Sequence, residues 1–539
     1  MHAKNYFDSE DVGYLAVSKQ TPLFILDLHV LRQQLSAFGS ALPNVKLYYS
    51  TKTNPHPAVL QVMVDHGIGF DVATIQEMRL VLDLGAKPDH LLATHPVMCA
   101  AEAQEAYGLG VRDFTIDSLN ELKWRASCLP AARYFVRLAP KSSASIYDYR
   151  NKFGASEAEL IAIMDYALQH DVQIAGVSFM VGSQSLTTKP WQDTLGYAVS
   201  VVNTYYDRMP SLRTINIGSG FPLGYRFDNG VPSIQDIAAV INTATQDLPV
   251  DVQVIAEPGR YLVGPSTILA TRVIQRICRG DEAWLYTDAT AYSGLIEIIE
   301  SGNRFAYTIT SSKHGPVRSF HISGKTLDPD DMIGAHVPLS DRIAAGDILY
   351  VRDTGAYSSS FFTNYHSLEH PELVVCDSQY AHNAGLGVNR GQIQGLRAKR
   401  HITAGQTVFI VSGHPSAART RTTFQTGHAQ HVEPSLFGAY LNHSCQPNVG
   451  VCTSTLGRNQ LEIIALRDIF PHEDIVADYA MFEYETGPMA EAACLCGSSQ
   501  CRTFITGYKD LPATVRTQYQ GFIANHLVTA NVPRTAPTF

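Results

Sequence analysis

The sequence has no excess of basic charge: 41 lysines and arginines face 50 aspartates and glutamates, for a net charge of -9. Nucleic-acid backbones are neutralised by clustered basic side chains, so this balance argues against a general nucleic-acid binder. There is no apolar run of about eighteen residues, the length a membrane-spanning helix needs. Residues 1–20 show no charged-then-apolar leader, and the expectation is a soluble, cytoplasmic protein with no membrane partner. Cysteine is scarce, nine in 539 residues, too few for a disulfide scaffold. Four of the nine fall at Cys445, Cys494, Cys496 and Cys501, a distribution that points to metal instead.

What is present is a globular composition, 45% apolar and 17% charged, in a chain long enough for two or three domains. Strand candidates at residues 24–28, 46–49, 69–72, 91–94, 113–116, 134–138, 174–177, 214–217 and 253–256 alternate with helical stretches such as 75–84 and 119–127. This alternation predicts an α/β fold, a (β/α)8 barrel, with functional residues just past the strand ends. Chemistry-bearing residues cluster there. Lys52, in Tyr-Ser-Thr-Lys-Thr-Asn, ends a strand, where desolvation would lower its pKa and make the amine nucleophilic. Asp71, Arg137 and Ser183 occupy similar places. Gly218-Ser219-Gly220 and Glu257-Pro258-Gly259-Arg260 each follow a strand. Glycines there let backbone N–H groups approach a phosphate, an arginine can pair with it, and a buried glutamate can keep a pyridine nitrogen protonated.

The first 370 or so residues resemble the fold type III pyridoxal-phosphate decarboxylases, the family of ornithine, diaminopimelate and arginine decarboxylases. The resemblance implies that Lys52 holds pyridoxal 5'-phosphate covalently. It implies that Gly218, Ser219, Gly220, Gly259 and Arg260 bind the phosphate, with Ser183 and Tyr357 contributing, that Glu257 pairs with the ring nitrogen, and that Asp71 and Arg137 line the site. Lys152-Phe153-Gly154 fits the family's Lys-Phe-Gly. Two positions depart: Met180 stands where the family stacks a histidine on the cofactor ring, and Leu327 where it has a cysteine that directs protonation. Asp328, in Gly324-Lys325-Thr326-Leu327-Asp328, would reach a neighbouring subunit's site and meet the substrate's distal group, which implies a homodimer. An aspartate there suits the distal ammonium of lysine or ornithine better than a second carboxylate. Short strands between 261 and 376 predict a β-rich second domain, which the resemblance says the extreme N-terminal residues join; residues 377–390 read as a linker.

The last third follows another logic. Leu441-Asn442-His443-Ser444-Cys445-Gln446-Pro447-Asn448, then Ala477-Asp478-Tyr479, then Cys494-x-Cys496-x4-Cys501, supply three thiolates, with Cys445 the obvious fourth for a closed zinc site. Residues 391–506 resemble the SET domain methyltransferases with their post-SET zinc segment. The resemblance implies a knot-like β fold in which Gly395, Asn442 and His443 bind S-adenosylmethionine, Tyr479 lies at the methyl-transfer channel, and Cys445 joins the post-SET cysteines on zinc. The predicted organisation is thus an N-terminal segment (1–25), a barrel (26–262), a β-rich domain (263–376), the linker, a SET and post-SET domain (391–510) and a tail (511–539) with a helix at 515–527 and a Pro/Thr-rich end. The expected activity joins decarboxylation of a free basic amino acid to N-methylation of its distal amine.

Overall fold

The structure, a computed structural model, describes residues 6–225, 230–302, 304–389, 392–411, 413–416, 418–427, 429–452, 460–486 and 492–528. The Pro/Thr-rich end lies outside the described residues. The chain forms two compact units, one of residues 30–371 and one of residues 1–29 with 372–539.

In the first unit eight parallel strands close a barrel: Val45–Ser50 (β1), Gly69–Val72 (β2), Leu91–Ala93 (β3), Asp113–Ile116 (β4), Arg133–Leu138 (β5), Ile174–Phe179 (β6), Thr214–Asn216 (β7) and Gln253–Ala256 (β8). Helices Pro57–Asp65, Ile75–Asp83, Ala100–Gly108, Leu119–Cys128, Glu157–His170, Lys189–Tyr205 and Ile234–Thr245 alternate with them. Helix Ile75–Asp83 shows how local sequence sets this: Thr74 and Glu77 form a reciprocal capping box, and Ile75, Met78 and Val81 bury one face. Tyr48, Leu92, Phe135 and Ile255 form one buried cluster. β1, β3 and β5 are not neighbours in the sheet, so their side chains meet only across the barrel interior. Glycine makes room for these rings: a Cβ on Gly69 would lie 2.6 Å from the Tyr48 ring.

Six further strands of this unit pair in the order Ile309–Ser311, Ile348–Val351, Thr267–Arg279, Glu282–Thr287, Val317–Ser323, Met332–Ser340. They form the β-rich domain. Of the nine strands predicted at 24–28 through 253–256, eight make the barrel. The exception, Leu23–Asp27, pairs in parallel with Glu372–Cys376 in the other unit.

That second unit is built on strands ordered Ala384–Asn389, Gln392–Ala398, Asp474–Ala477, Val449–Cys452, Leu461–Ala465, Thr407–Val411, with Asn442–His443 added in parallel to Asp474–Ala477. Strands Gly413–Ser416, Gln430–Pro434 and Phe424–Gly427 form a smaller sheet. The linker reading of residues 377–390 is corrected, because Ala384–Asn389 is a strand in register with Gln392–Ala398. Its glycines serve close packing: a Cβ on Gly385 would lie 2.1 Å from the Lys399 side chain. Helix Glu10–Ser18 belongs to this unit, and its buried Asp11 accepts from the Leu386 N–H (3.1 Å) and the Lys399 amine (2.6 Å). The single helix predicted at 515–527 is two, Ala513–Gln518 and Asn525–Val528, interrupted at Gly521, whose φ is +91°. Among the described residues no helix is long and apolar enough to cross a membrane.

Candidate active sites

At the barrel's C-terminal end, Lys52 sits on a single turn, Thr51–Thr53, immediately after β1. Strand register sets Ser50 beside Asp71, and a tight group results. The Lys52 amine donates to Asp71 Oδ2 (2.6 Å) and Ser50 Oγ (2.8 Å), Ser50 donates to Asp71 (2.7 Å), and Thr94 donates to the other carboxylate oxygen. The expected lowering of the lysine pKa is reversed. Burial pulls it down, but the Asp71 carboxylate, with Tyr357 and Glu257 adding, outweighs burial and holds the amine above the ordinary lysine value. Asp71 is in turn held low: burial opposes its charge, and Lys52 with the three hydrogen bonds prevails.

Glu257 follows β8. Burial and the Asp71 charge raise its carboxyl to about 7. Asn216, fully buried at the end of β7, was not predicted from the sequence. Its amide donates to Glu257 (2.5 Å) while its carbonyl accepts from the Gly218 N–H (2.9 Å), so one side chain ties the glutamate to the glycine loop. In that loop Gly218 and Gly220 have φ of +64° and +111°, with half-buried Ser219 between them. A Cβ on Gly218 would lie 2.0 Å from the Phe179 carbonyl, so the loop requires glycine on two counts. Gly259 has Thr53 where a Cβ would go, at 2.1 Å.

Arg260 is buried, with the rings of Tyr357, Phe305 and Tyr225 around its guanidinium at 4.9, 5.1 and 6.0 Å. It donates to Ser183 Oγ (3.1 Å) and bidentately to Glu297 (2.6 and 2.7 Å), a partner no sequence motif marks. Tyr357, in the left-handed region at φ +57°, donates its N–H to the Thr53 carbonyl (2.8 Å), and Asn54 donates to the Gly355 carbonyl (2.9 Å). Arg137 contacts the Met180 sulfur (3.9 Å) and lies over the Phe153 ring at 4.9 Å. A cavity of about 430 Å³ opens at Lys52, lined also by Glu77, Tyr357 and Phe361. Asp328 is outside this group: it accepts from Tyr292 OH (2.7 Å) on the strand connection where Leu327 is exposed, and the buried Asp331 braces the same turn through Thr326 and the Ala291 N–H.

This set fits pyridoxal phosphate. An amine lines a cavity, a glycine cradle has no room for a Cβ, and the buried Arg260 Nε–H has no acceptor among the described residues.

The second unit brings together the other predicted residues. Asn442 donates to the Gln394 carbonyl (2.6 Å) beside Gly395, where a Cβ would lie 2.4 Å from the Asn442 amide. His443 packs edge-on to Tyr479, with ring centroids 5.1 Å apart, and accepts from the Tyr479 N–H (3.3 Å). Tyr479 OH donates to the Leu441 carbonyl (2.8 Å), and burial pushes its pKa up to about 12. The sulfurs of Cys445, Cys494, Cys496 and Cys501 all lie within 4.8 Å of one another, and Cys445 and Cys494 are 3.8 Å apart. A tetrahedral zinc with sulfur at about 2.3 Å sets its ligands about 3.8 Å apart, so the donor set fits. Fully buried Asp478, unmarked from sequence, joins these parts. Arg502 donates to it twice (2.6 and 2.8 Å), Tyr519 OH donates once (3.0 Å), and Arg502 N–H also reaches Cys445 Sγ (3.4 Å).

Comparison with known proteins decides the family. Residues 28–264 match the pyridoxal-dependent decarboxylase, pyridoxal binding domain, and residues 393–480 match the SET domain. The chain is 31% identical to the lysine/ornithine decarboxylase of Vibrio vulnificus, solved with putrescine, with a TM-score of 0.62 over 68% of this chain and 96% of that one. The chain belongs to the pyridoxal-dependent decarboxylases. It also carries a SET domain. It is 28% identical over 387 residues to the lysine/ornithine decarboxylase of Selenomonas ruminantium, covering 71% of this chain and 97% of that one. It is 29% identical over 397 residues to antizyme inhibitor 2 of Xenopus laevis, covering 70% and 86%.

Proposed function

We propose that this is a bifunctional enzyme that decarboxylates a free basic amino acid, lysine or ornithine, and methylates its distal amine, giving an N-methylated diamine such as N-methylated cadaverine. The observation that carries the reading is that one chain holds a lysine amine at a cavity in a decarboxylase barrel and a Tyr479–His443 pair in a SET domain. Lysine and ornithine are the substrates named for the Vibrio and Selenomonas relatives. Their flexible stem ending in an amine is also what a SET channel accepts.

Pyridoxal phosphate, when bound, supplies the electron sink that loss of carbon dioxide from an α-amino acid requires. Lys52 would hold its aldehyde, Glu257 its ring nitrogen, and Gly218, Ser219, Gly220, Gly259, Ser183, Tyr357 and Arg260 its phosphate. Met180, at the position of the family's stacking histidine, would pack on the cofactor ring, and its sulfur contacts the Arg137 side chain. Asp71 and Ser50 position the Lys52 amine and hold it protonated, so the amine would have to give up that proton before it attaches an aldehyde. Asp328, held by Tyr292, would meet the distal ammonium across a homodimer interface. In the SET domain Gly395, Asn442 and His443 would bind S-adenosylmethionine. Tyr479 stays a neutral phenol near neutral pH and orients an amine for in-line transfer. Zinc on the four cysteines would close the post-SET segment.

A second reading has a specific observation behind it. Glu297 occupies Arg260, Met180 and Leu327 replace the family's histidine and cysteine, and one relative is an inhibitor by name. In this reading the barrel is a non-catalytic scaffold or regulator, and the SET domain methylates protein lysines. Incubation with labelled lysine and S-adenosylmethionine, followed by mass analysis, separates the two. Labelled carbon dioxide and a methylated diamine support the first. Methylation of a lysine-bearing peptide alone, in a colourless protein, rejects it.

A further inference from the structure

We infer that Glu297 is a counter-charge built into the phosphate cradle, which loosens the hold on the cofactor's phosphate and narrows the preference for pyridoxal phosphate over unphosphorylated pyridoxal. The inference rests on the pyridoxal phosphate reading above. Arg260 and Glu297 expose 3% and 5% of their side chains and pair through both oxygens at 2.6 and 2.7 Å. The two terminal nitrogens with which an arginine would clasp a phosphate are therefore already on a carboxylate. Ser183, another side chain assigned to the phosphate, is hydrogen-bonded to the same guanidinium. The Arg260 Nε–H remains, buried and without an acceptor among the described residues.

Glu297 is fixed in place. It opens the short helix Glu297–Glu300, and its carbonyl accepts from Tyr147 OH (3.2 Å). The rings of Tyr357, Phe305 and Tyr225 exclude water from the pair, so charges there are weakly screened. A phosphate entering this cradle shares Arg260 with a carboxylate that repels it. The attachment through Lys52 and Glu257 involves neither group, so the penalty falls on the phosphate alone.

The test uses the full chain and follows the absorbance of bound aldehyde while pyridoxal phosphate or pyridoxal is titrated into wild type and Glu297→Gln. Removing the carboxylate is expected to tighten pyridoxal phosphate by about tenfold, a single close charge in a partly screened site, and to leave pyridoxal within about twofold. Unchanged or weaker phosphate binding in E297Q overturns the inference and makes Glu297 a strut for Arg260. Wild type gives an independent measure should E297Q fail to fold. Its preference for pyridoxal phosphate over pyridoxal is expected to stay below about thirtyfold, the worth of one charge-assisted hydrogen bond, and a larger preference overturns the inference. If neither aldehyde binds wild type, the pyridoxal phosphate reading fails and takes this inference with it. That result is distinct from binding that E297Q does not tighten.

Discussion

The barrel site and the cysteine cluster treat charge in opposite ways. In the barrel site the charges are paired within the protein: buried Asp71 has Lys52, and buried Arg260 has Glu297. The cluster gathers four sulfurs within 4.8 Å, an arrangement that as thiolates is repulsive until a cation enters. The first site is assembled by its own ion pairs, and the ligand must compete with them. On the zinc reading, the second would depend on a ligand to be assembled. The difference teaches where each half would be sensitive, the barrel to changes in its pairs and, if zinc is bound as proposed, the SET unit to its loss.

Metal removal is the strongest test of that contrast. Chelation, or Cys494→Ser, is expected to abolish methyl transfer and melt the SET unit's C-terminal segment, since a structural zinc contributes on the order of 10 kcal/mol. Metal analysis with a thermal melt checks it, and decarboxylation surviving chelation would sharpen the comparison. Next, Lys52→Ala is expected to lower carbon dioxide release by about a thousandfold or more and leave methyl transfer unchanged. Tyr479→Phe is expected to do the reverse, lowering methyl transfer about a hundredfold through lost alignment, measured as label incorporated from S-adenosylmethionine.

Smaller effects follow from the buried acids. Glu257's folded pKa, about 7, lies above its ordinary 4.5. Its contribution to stability is therefore complete below pH 4.5 and lost as pH rises through 7, a decline of roughly 1–3 kcal/mol. Asp71 is shifted the other way: its contribution is complete above its ordinary 3.8 and is lost only as pH falls below that, outside this window. Denaturation of cofactor-free protein between pH 4.5 and 7.5 should show the decline, and Glu257→Gln should flatten it. Asp11→Ala leaves the Leu386 N–H and Lys399 without their acceptor. It is expected to cost the SET unit about 1–3 kcal/mol, read by denaturant titration, with the barrel unit unaffected.

Sequence by itself determined the barrel, because alternating apolar strands and capped helices carry their period locally. It marked Lys52, the glycine loop, Glu257 and the four cysteines as candidates, because those residue types follow strand ends or recur at metal-ligand spacing. It also marked Met180 and Leu327 as departures. It did not show that residues 384–389 are a strand rather than a linker, since glycine reads as freedom when no neighbour is known, and Lys399 is the neighbour. It did not show Asn216, Glu297 or Asp478, single polar residues whose partners lie 41, 37 and 24 positions away. Nor could it give the direction of Lys52's pKa. Desolvation is inferred from an apolar strand, whereas the charge that overrules it belongs to Asp71 on the next strand. Pattern along the chain sets which elements form and which side chains can react. Which buried charges meet is decided by strand register and loop closure, and electrostatic energy depends on that separation, which only the folded chain defines.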